Sequence, residues 1–313
     1  MRLFGRADGK KIKGIDGFSR LGALLMGETR TDCCNQYTYE FSTAPIDAFI
    51  ERKRASGVDF NYRDIVIATL VRVFYLRPRF NRFVVKGTFY QRNFIDVAMV
   101  MHKSLRTGEQ ETVIKCRFRG DETINEIKEK IDAEIAKALA GKNDTDNFSG
   151  GAMAHMPTWL LRIAARLFKF LDRWGMFSDK FLFTTSPFHT SIFLADLKSI
   201  HLDTTWHHLY NFGNCGFFCT LAKSKLKPVV DPKTGLIKTD TTVELGISQD
   251  ERFTDGLLFS HMIKTAGRIM ENLEVMERPA TPDEIKHAHT PAEKKQLAKR
   301  AARAQKRAVR SAK

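Results

Sequence analysis

Residues 121–139, DETINEIKEKIDAEIAKAL, space Ile124, Ile127, Ile131, Ile135 and Leu139 three or four apart, which puts all five on one face of a helix. Around this helix the periodicity changes. QYTYEFS alternates Tyr37, Tyr39 and Phe41 as a half-buried strand does, and NFIDVAMVMHK and ETVIKCRFR read as two strands joined by a turn near Thr107-Gly108. TSIFLADL, CGFFCTLAK and TTVELGIS are further strands, and KPVVDPKTGLIK reads as a hairpin turning at Gly235. Helical spacing returns in PIDAFIERKRASG, in 62–76 up to the break at Pro78, and in about 254–273, where Leu258, Met262, Ala266, Ile269 and Leu273 share a face. Strands and helices mix without a regular βαβ rhythm and without repeats. The pattern therefore predicts an α+β, mixed-sheet domain rather than a doubly wound one.

Length and composition narrow the classes. The chain has 313 residues, 43% of them hydrophobic, enough for a large core in one big domain or two small ones. A 28% charged fraction together with 24 Phe excludes a mainly disordered chain. No apolar run approaches the ~18–20 residues of a bilayer span. The opening MRLFGRADGKKIKG lacks the apolar stretch of a secretory signal. Five cysteines, scattered as Cys33-Cys34, Cys116, and Cys215 with Cys219, form no disulfide framework, so reduced thiols and a cytoplasmic setting are expected.

Charge is distributed unevenly. Lys and Arg number 51 against 36 Asp and Glu, a net +15, and residues 289–313 alone hold nine bases against one acid, Glu293. ERPATPDEIKHAHTP, with Pro279, Pro282 and Pro291, reads as a linker. The chain thus divides into a body, 1–276, and a linker with a basic tail, 277–313. The tail reads as a solvated extension. Its Lys/Arg density also suits an arm that touches nucleic acid or an anionic membrane surface by charge alone. PTWLLRIAARLFKFLDRWG combines a heavily apolar composition with a stripe of Arg162, Arg166, Lys169 and Arg173. Such a helix covers a core, walls a channel or lies in a membrane interface.

Two segments carry chemistry. QDERFTDGLLF sits where a strand hands over to a helix: Asp250, Glu251 and Asp255 surround Arg252, and Gly256 opens the helix, where a side chain is expected not to fit against neighbouring backbone. The same acids also suit a capped helix N-terminus. WHHLYNFGNCGFFC places His207 and His208 near Cys215 and Cys219, but the spacing matches no zinc pattern and adjacent histidines on extended backbone point apart, so no metal site is expected. No Walker loop, dinucleotide fingerprint or GxSxG elbow is present. Cys33-Cys34 lacks a nearby base in sequence.

Taken in order, the YTYEF strand, the helix ending in RPRFNRF, FIDVAMVM, the Ile-striped helix, SIFLADLKSIHL and DERFTDG resemble the catalytic domain of the dihydrolipoamide acyltransferases of 2-oxoacid dehydrogenase complexes, and more distantly chloramphenicol acetyltransferase, over about residues 14–276. The resemblance implies a two-layer α/β sandwich, a homotrimer with sites between subunits, and acyl-CoA as cosubstrate. In the family motif His-x-x-x-Asp-Gly, histidine is the general base and Asp pairs with an arginine. Asp255 and Gly256 match; Glu251 stands at the base position. Arg20 and Arg30 are candidate partners for Asp255. Where the family carries a hydroxyl residue followed by Asn-Leu-Gly, this chain has Ala195, Asp196, Leu197 and Lys198. A carboxylate is intrinsically a weaker base than imidazole, and losing one oxyanion donor typically costs about 10²–10³ in rate. Reduced or altered acyl transfer is expected, with Glu251 as base, His207 or His208 as replacement bases, and a non-catalytic trimeric scaffold or regulator as the alternative.

Overall fold

The computed structural model describes residues 5–26, 29–102, 111–141, 156–231 and 234–288. The basic tail, with its expected nucleic-acid and anionic-surface contacts, and the Thr107-Gly108 turn lie outside the described residues. The strands are β1 (Gly9–Lys11), β2 (Cys34–Ser42), β3 (Arg82–Val85), β4 (Thr88–Arg92), β5 (Ile95–His102), β6 (Glu111–Phe118), β7 (Ile192–Asp196), β8 (Phe217–Leu221), β9 (Lys225–Val230) and β10 (Ile237–Asp250). The helices are α1 (Gly17–Leu25), α2 (Ala44–Ala55), α3 (Tyr62–Leu76), α4 (Ile124–Leu139), α5 (Thr158–Arg173), α6 (Asp179–Thr185), α7 (Gly256–Glu271) and α8 (Pro282–Ala288).

The main sheet has the order β2-β10-β8-β7-β5-β6, with β9 also paired to β10. Contacts β5–β7 and β7–β8 are parallel and the others antiparallel, so the sheet is mixed, as the sequence predicts. A small antiparallel sheet, β1-β4-β3, stands apart. The sequence pattern separates 227–238 from 241–248; the structure joins the second arm of the hairpin and the following strand into one 14-residue β10.

Alternation along the strands assigns the two faces. Ile192 and Leu194 of β7, Phe217 and Cys219 of β8 and Leu245 and Ile247 of β10 join the main core with α2, α3, α4 and α7. Phe193, Phe218 and Ala98 point to the opposite face, where Leu209 and Cys215 cover them. Capping boxes start α3 (Asn61 with Asp64) and α4 (Thr123 with Glu126). On α4, Ile124, Ile127 and Ile131 are buried, yet Leu139 is exposed and Ala138 takes the last core position. At 100° per residue Ala138 falls nearer the centre of the isoleucine stripe than Leu139 does.

The 277–288 stretch, read as a linker, packs on the body. Ala280 is buried and its N–H donates to the Asp121 carbonyl, and the buried Arg72 of α3 donates to the carbonyls of Glu122, Val275 and Arg278. These bonds satisfy a buried guanidinium with backbone oxygens, a long-range pairing that local proline content does not reveal. Among the described residues no helix is long and apolar enough to cross a membrane.

Candidate functional site

β10 carries its last buried residue, Asp250, to the N-terminus of α7. Burial alone would raise the Asp250 carboxyl. The guanidinium of Arg252 at 2.7 Å and that of Arg30 at 3.3 Å outweigh it and hold the group below the usual carboxylate range. Arg30 also donates to the carbonyls of Cys215 and Gly213. Arg30, one of the two arginines expected at Asp255, is therefore committed to Asp250 instead. Asp255 stands exposed in extended conformation, and its Oδ1 accepts from the Leu258 N–H at 2.7 Å as the N-cap of α7. A Cβ added at Gly256 meets nothing within 4 Å, so the steric reason expected for that glycine does not apply.

Glu251 follows directly. Its N–H donates to the Cys33 carbonyl at 2.8 Å, which ties the turn to the start of β2. Its side chain is half-buried and lines a cleft of about 450 Å³ together with Arg79, Arg82, Phe253 and Asp255. The far wall comes from Ile12, Asp16 and Phe18, in and just before α1. Among the described residues its carboxylate has neither ion pair nor hydrogen bond. Sequence reasoning singled out Glu251, Arg252 and Asp255, which all line this cleft. It missed α1 and the Arg30–Asp250 pair, whose partners lie 220 residues apart.

His207 and His208 are elsewhere. They lie on the face opposite the main core, where the His207 ring stacks on Phe218 at 4.0 Å and its Nδ1 lies 2.9 Å from the His208 carbonyl oxygen. The His208 ring meets Tyr210 edge-on at 4.8 Å. The segment crosses the sheet at Gly246, where a Cβ would sit 2.5 Å from the Thr205 oxygen. Neither histidine lines the Glu251 cleft. Cys215 and Cys219 belong to opposite faces of the sheet, and among the described residues no group of three or more His, Cys, Asp or Glu could hold a metal ion. Burial pushes the Cys33 thiol up to about 11, where it is a poor nucleophile.

Ala195 pairs with Thr220 of β8, which pairs with Gly246 of β10. From Gly246 to Glu251 is five residues, ~17 Å at strand rise, so one chain does not bring the two ends together. Asp196 Oδ1 accepts from the N–H groups of Lys198 and Ser199 at 3.1 and 3.3 Å, and burial raises its carboxyl. The Lys198 ammonium sits 4.3 Å over the Tyr62 ring.

No protein-family model and no curated protein matches the sequence. Solved structures do match. A probable dihydrolipoamide acetyltransferase from Listeria monocytogenes is similar at 14% identity and TM-score 0.55, covering 85% of this chain and 96% of that one. The Azotobacter vinelandii dihydrolipoamide acetyltransferase, studied for the roles of a serine, a histidine and an asparagine in its mechanism, is similar at 13% identity and TM-score 0.54, covering 85% and 94%. A chloramphenicol acetyltransferase matches at 10% identity and TM-score 0.50, covering 84% and 99%. The mixed sheet, the single helical layer over its core face and these likenesses together give the chain the α+β fold of the chloramphenicol acetyltransferase-like acyltransferases.

Proposed function

We propose that the chain binds an acyl thioester, acyl-CoA, in the cleft beside Glu251 and transfers the acyl group slowly. The observation that carries this reading is Glu251 itself, a half-buried carboxylate without a partner among the described residues on the wall of a cleft that also contains Arg79 and Arg82. Guanidinium groups suit the phosphates of a nucleotide-bearing thioester, and the apolar Ile12, Phe18 and Phe253 suit an acyl or pantetheine chain. In the reaction Glu251 takes the proton of a thiol or hydroxyl acceptor. The freed sulfur or oxygen attacks the thioester carbonyl, the carbon–sulfur bond to CoA breaks, and Glu251 returns the proton to the departing thiolate. An ionised glutamate repels the nascent anion until it takes the proton. Ala195 offers no hydroxyl to an oxyanion. Both features make the step slow.

A homotrimer is part of the proposal, because a site that uses both Glu251 and the Ala195 end of the sheet needs two copies. Sedimentation equilibrium should give three times the 35.7 kDa chain mass; a monomer would remove the shared site. A cytoplasmic setting, with the five cysteines free, is also part of it. Calorimetric titration with CoA and acetyl-CoA tests the main claim, and micromolar binding is expected. Glu251→Gln should keep that binding and abolish turnover with a thiol acceptor. Absence of binding by folded protein would favour the non-catalytic scaffold, the reading supported by Ala195.

A further inference from the structure

No residue of α5 is buried, although ten of its 16 residues are hydrophobic. Phe168 and Leu171 are half-covered and form its inner side, with Phe168 stacked on Phe177 at 4.5 Å. At 100° per residue, Trp159, Ile163, Leu167, Phe170 and Trp174 fall in one arc of about 80° on the opposite side, and each leaves half or more of its surface open. Arg162, Arg166, Lys169 and Arg173, all exposed, form the adjoining arc. The helix's single acid, Asp172, is turned inward, 2.8 Å from Arg6 and 3.1 Å from His189. The outward side is thus an apolar strip edged with four cations and no anion.

A second helix extends this surface. Leu21, Leu24 and Leu25 of α1 are exposed, and Leu24 lines the same cleft as Lys169 and Arg173. Lys86 closes the cleft, its ammonium 3.3 Å over the Trp174 ring.

We infer that this surface docks on an anionic lipid bilayer, with α5 lying in the interface plane. Charge complementarity selects the occupant. An apolar strip beside a row of bases matches acyl chains below anionic headgroups, and tryptophans at both ends suit the headgroup level. A second copy meeting the same patch across a two-fold axis would set four cations against four cations, and a neighbour in the proposed trimer would have to bring an acidic face to it, in a chain that already carries +15.

Two of the chain's three tryptophans, Trp159 and Trp174, report on the strip. Full-length protein is mixed with vesicles of phosphatidylcholine alone or with phosphatidylglycerol added. Flotation and a blue shift of tryptophan emission are expected with the anionic vesicles, and Trp206→Phe should keep the shift. Ile163→Glu with Phe170→Glu changes only exposed side chains and should reduce the bound fraction roughly tenfold or more. Arg162→Glu with Arg166→Glu should weaken the preference for anionic lipid. Failure to float, flotation without the emission shift, or unchanged flotation in the Ile163→Glu/Phe170→Glu variant overturns the inference. So does a fall in assembly mass in that variant while the wild type ignores vesicles, which would give the strip to a second copy. The inference is independent of whether the Glu251 cleft takes CoA.

Discussion

Helices α4 and α5 have the same length, 16 residues each, and both are amphipathic. α4 turns its isoleucines onto the core and its charges to solvent, while α5 turns its larger apolar arc to solvent beside its four bases. A periodic pattern specifies that a helix has an apolar side; the rest of the molecule decides what covers it. α4 begins with a reciprocal capping box and buries Ile124, Ile127 and Ile131 of its stripe in the main core. α5 begins at Pro157 without a side-chain cap and is held by the ion cluster around Asp172 and the aromatic contacts of Phe168.

Introducing a charge separates the two helices most sharply. Ile131→Asp should cost more than ~4 kcal/mol, because it buries an unpaired carboxylate, while Ile163→Asp should change stability by less than ~0.5 kcal/mol. Urea denaturation measures both, and comparable losses would mean that the outer arc of α5 is covered. Asp172→Ala is intermediate: it strips partners from Arg6 and His189 and should cost about 1–3 kcal/mol, with the lost hydrogen-exchange protection concentrated in α5.

Acid should act at the same place. Burial raises the Asp172 and Asp8 carboxyls, but their cationic neighbours overcompensate and both end below the ordinary range, Asp8 at about 2. Their stabilisation is complete above the unfolded value of ~3.9. It is lost as pH falls through the folded values. Exchange rates corrected for pH should show α5 opening in that window before the isoleucine face of α4. The smallest effect is at the caps: Thr123→Ala should cost ~1 kcal/mol, whereas Pro157→Ala removes no side-chain bond and should be nearly neutral in thermal melts.

The sequence revealed what repeats locally. Alternation located β7, β8 and the later half of β10, and 3.6-residue spacing located α4 and α7. Features made by distant partners were hidden. Arg72 fastening Val275 and Arg278, Arg30 choosing Asp250 over Asp255, and the merging of two short segments into β10 each depend on residues far away along the chain. At the site, the strand-to-helix handover identified Glu251 and Asp255, since local order puts them there. It could not show that Asp255 serves as a cap, that Gly256 has open space around it, or that His207 and His208 lie on the face opposite the main core. Those facts belong to the sheet's two faces, and the sheet's order is set by long-range pairing.

The pairing of β2 with β10 joins residues 34–42 to residues 242–250. On a ribosome that adds about 5–20 residues per second, strand β2 waits some 10–40 seconds for the partner it will lie against. Through that interval its alternating tyrosines and one row of its backbone hydrogen-bonding groups have no native neighbour. Sheet closure therefore waits for the emergence of β10, and a ribosome that stops before residue 242 releases a strand with nothing to pair with.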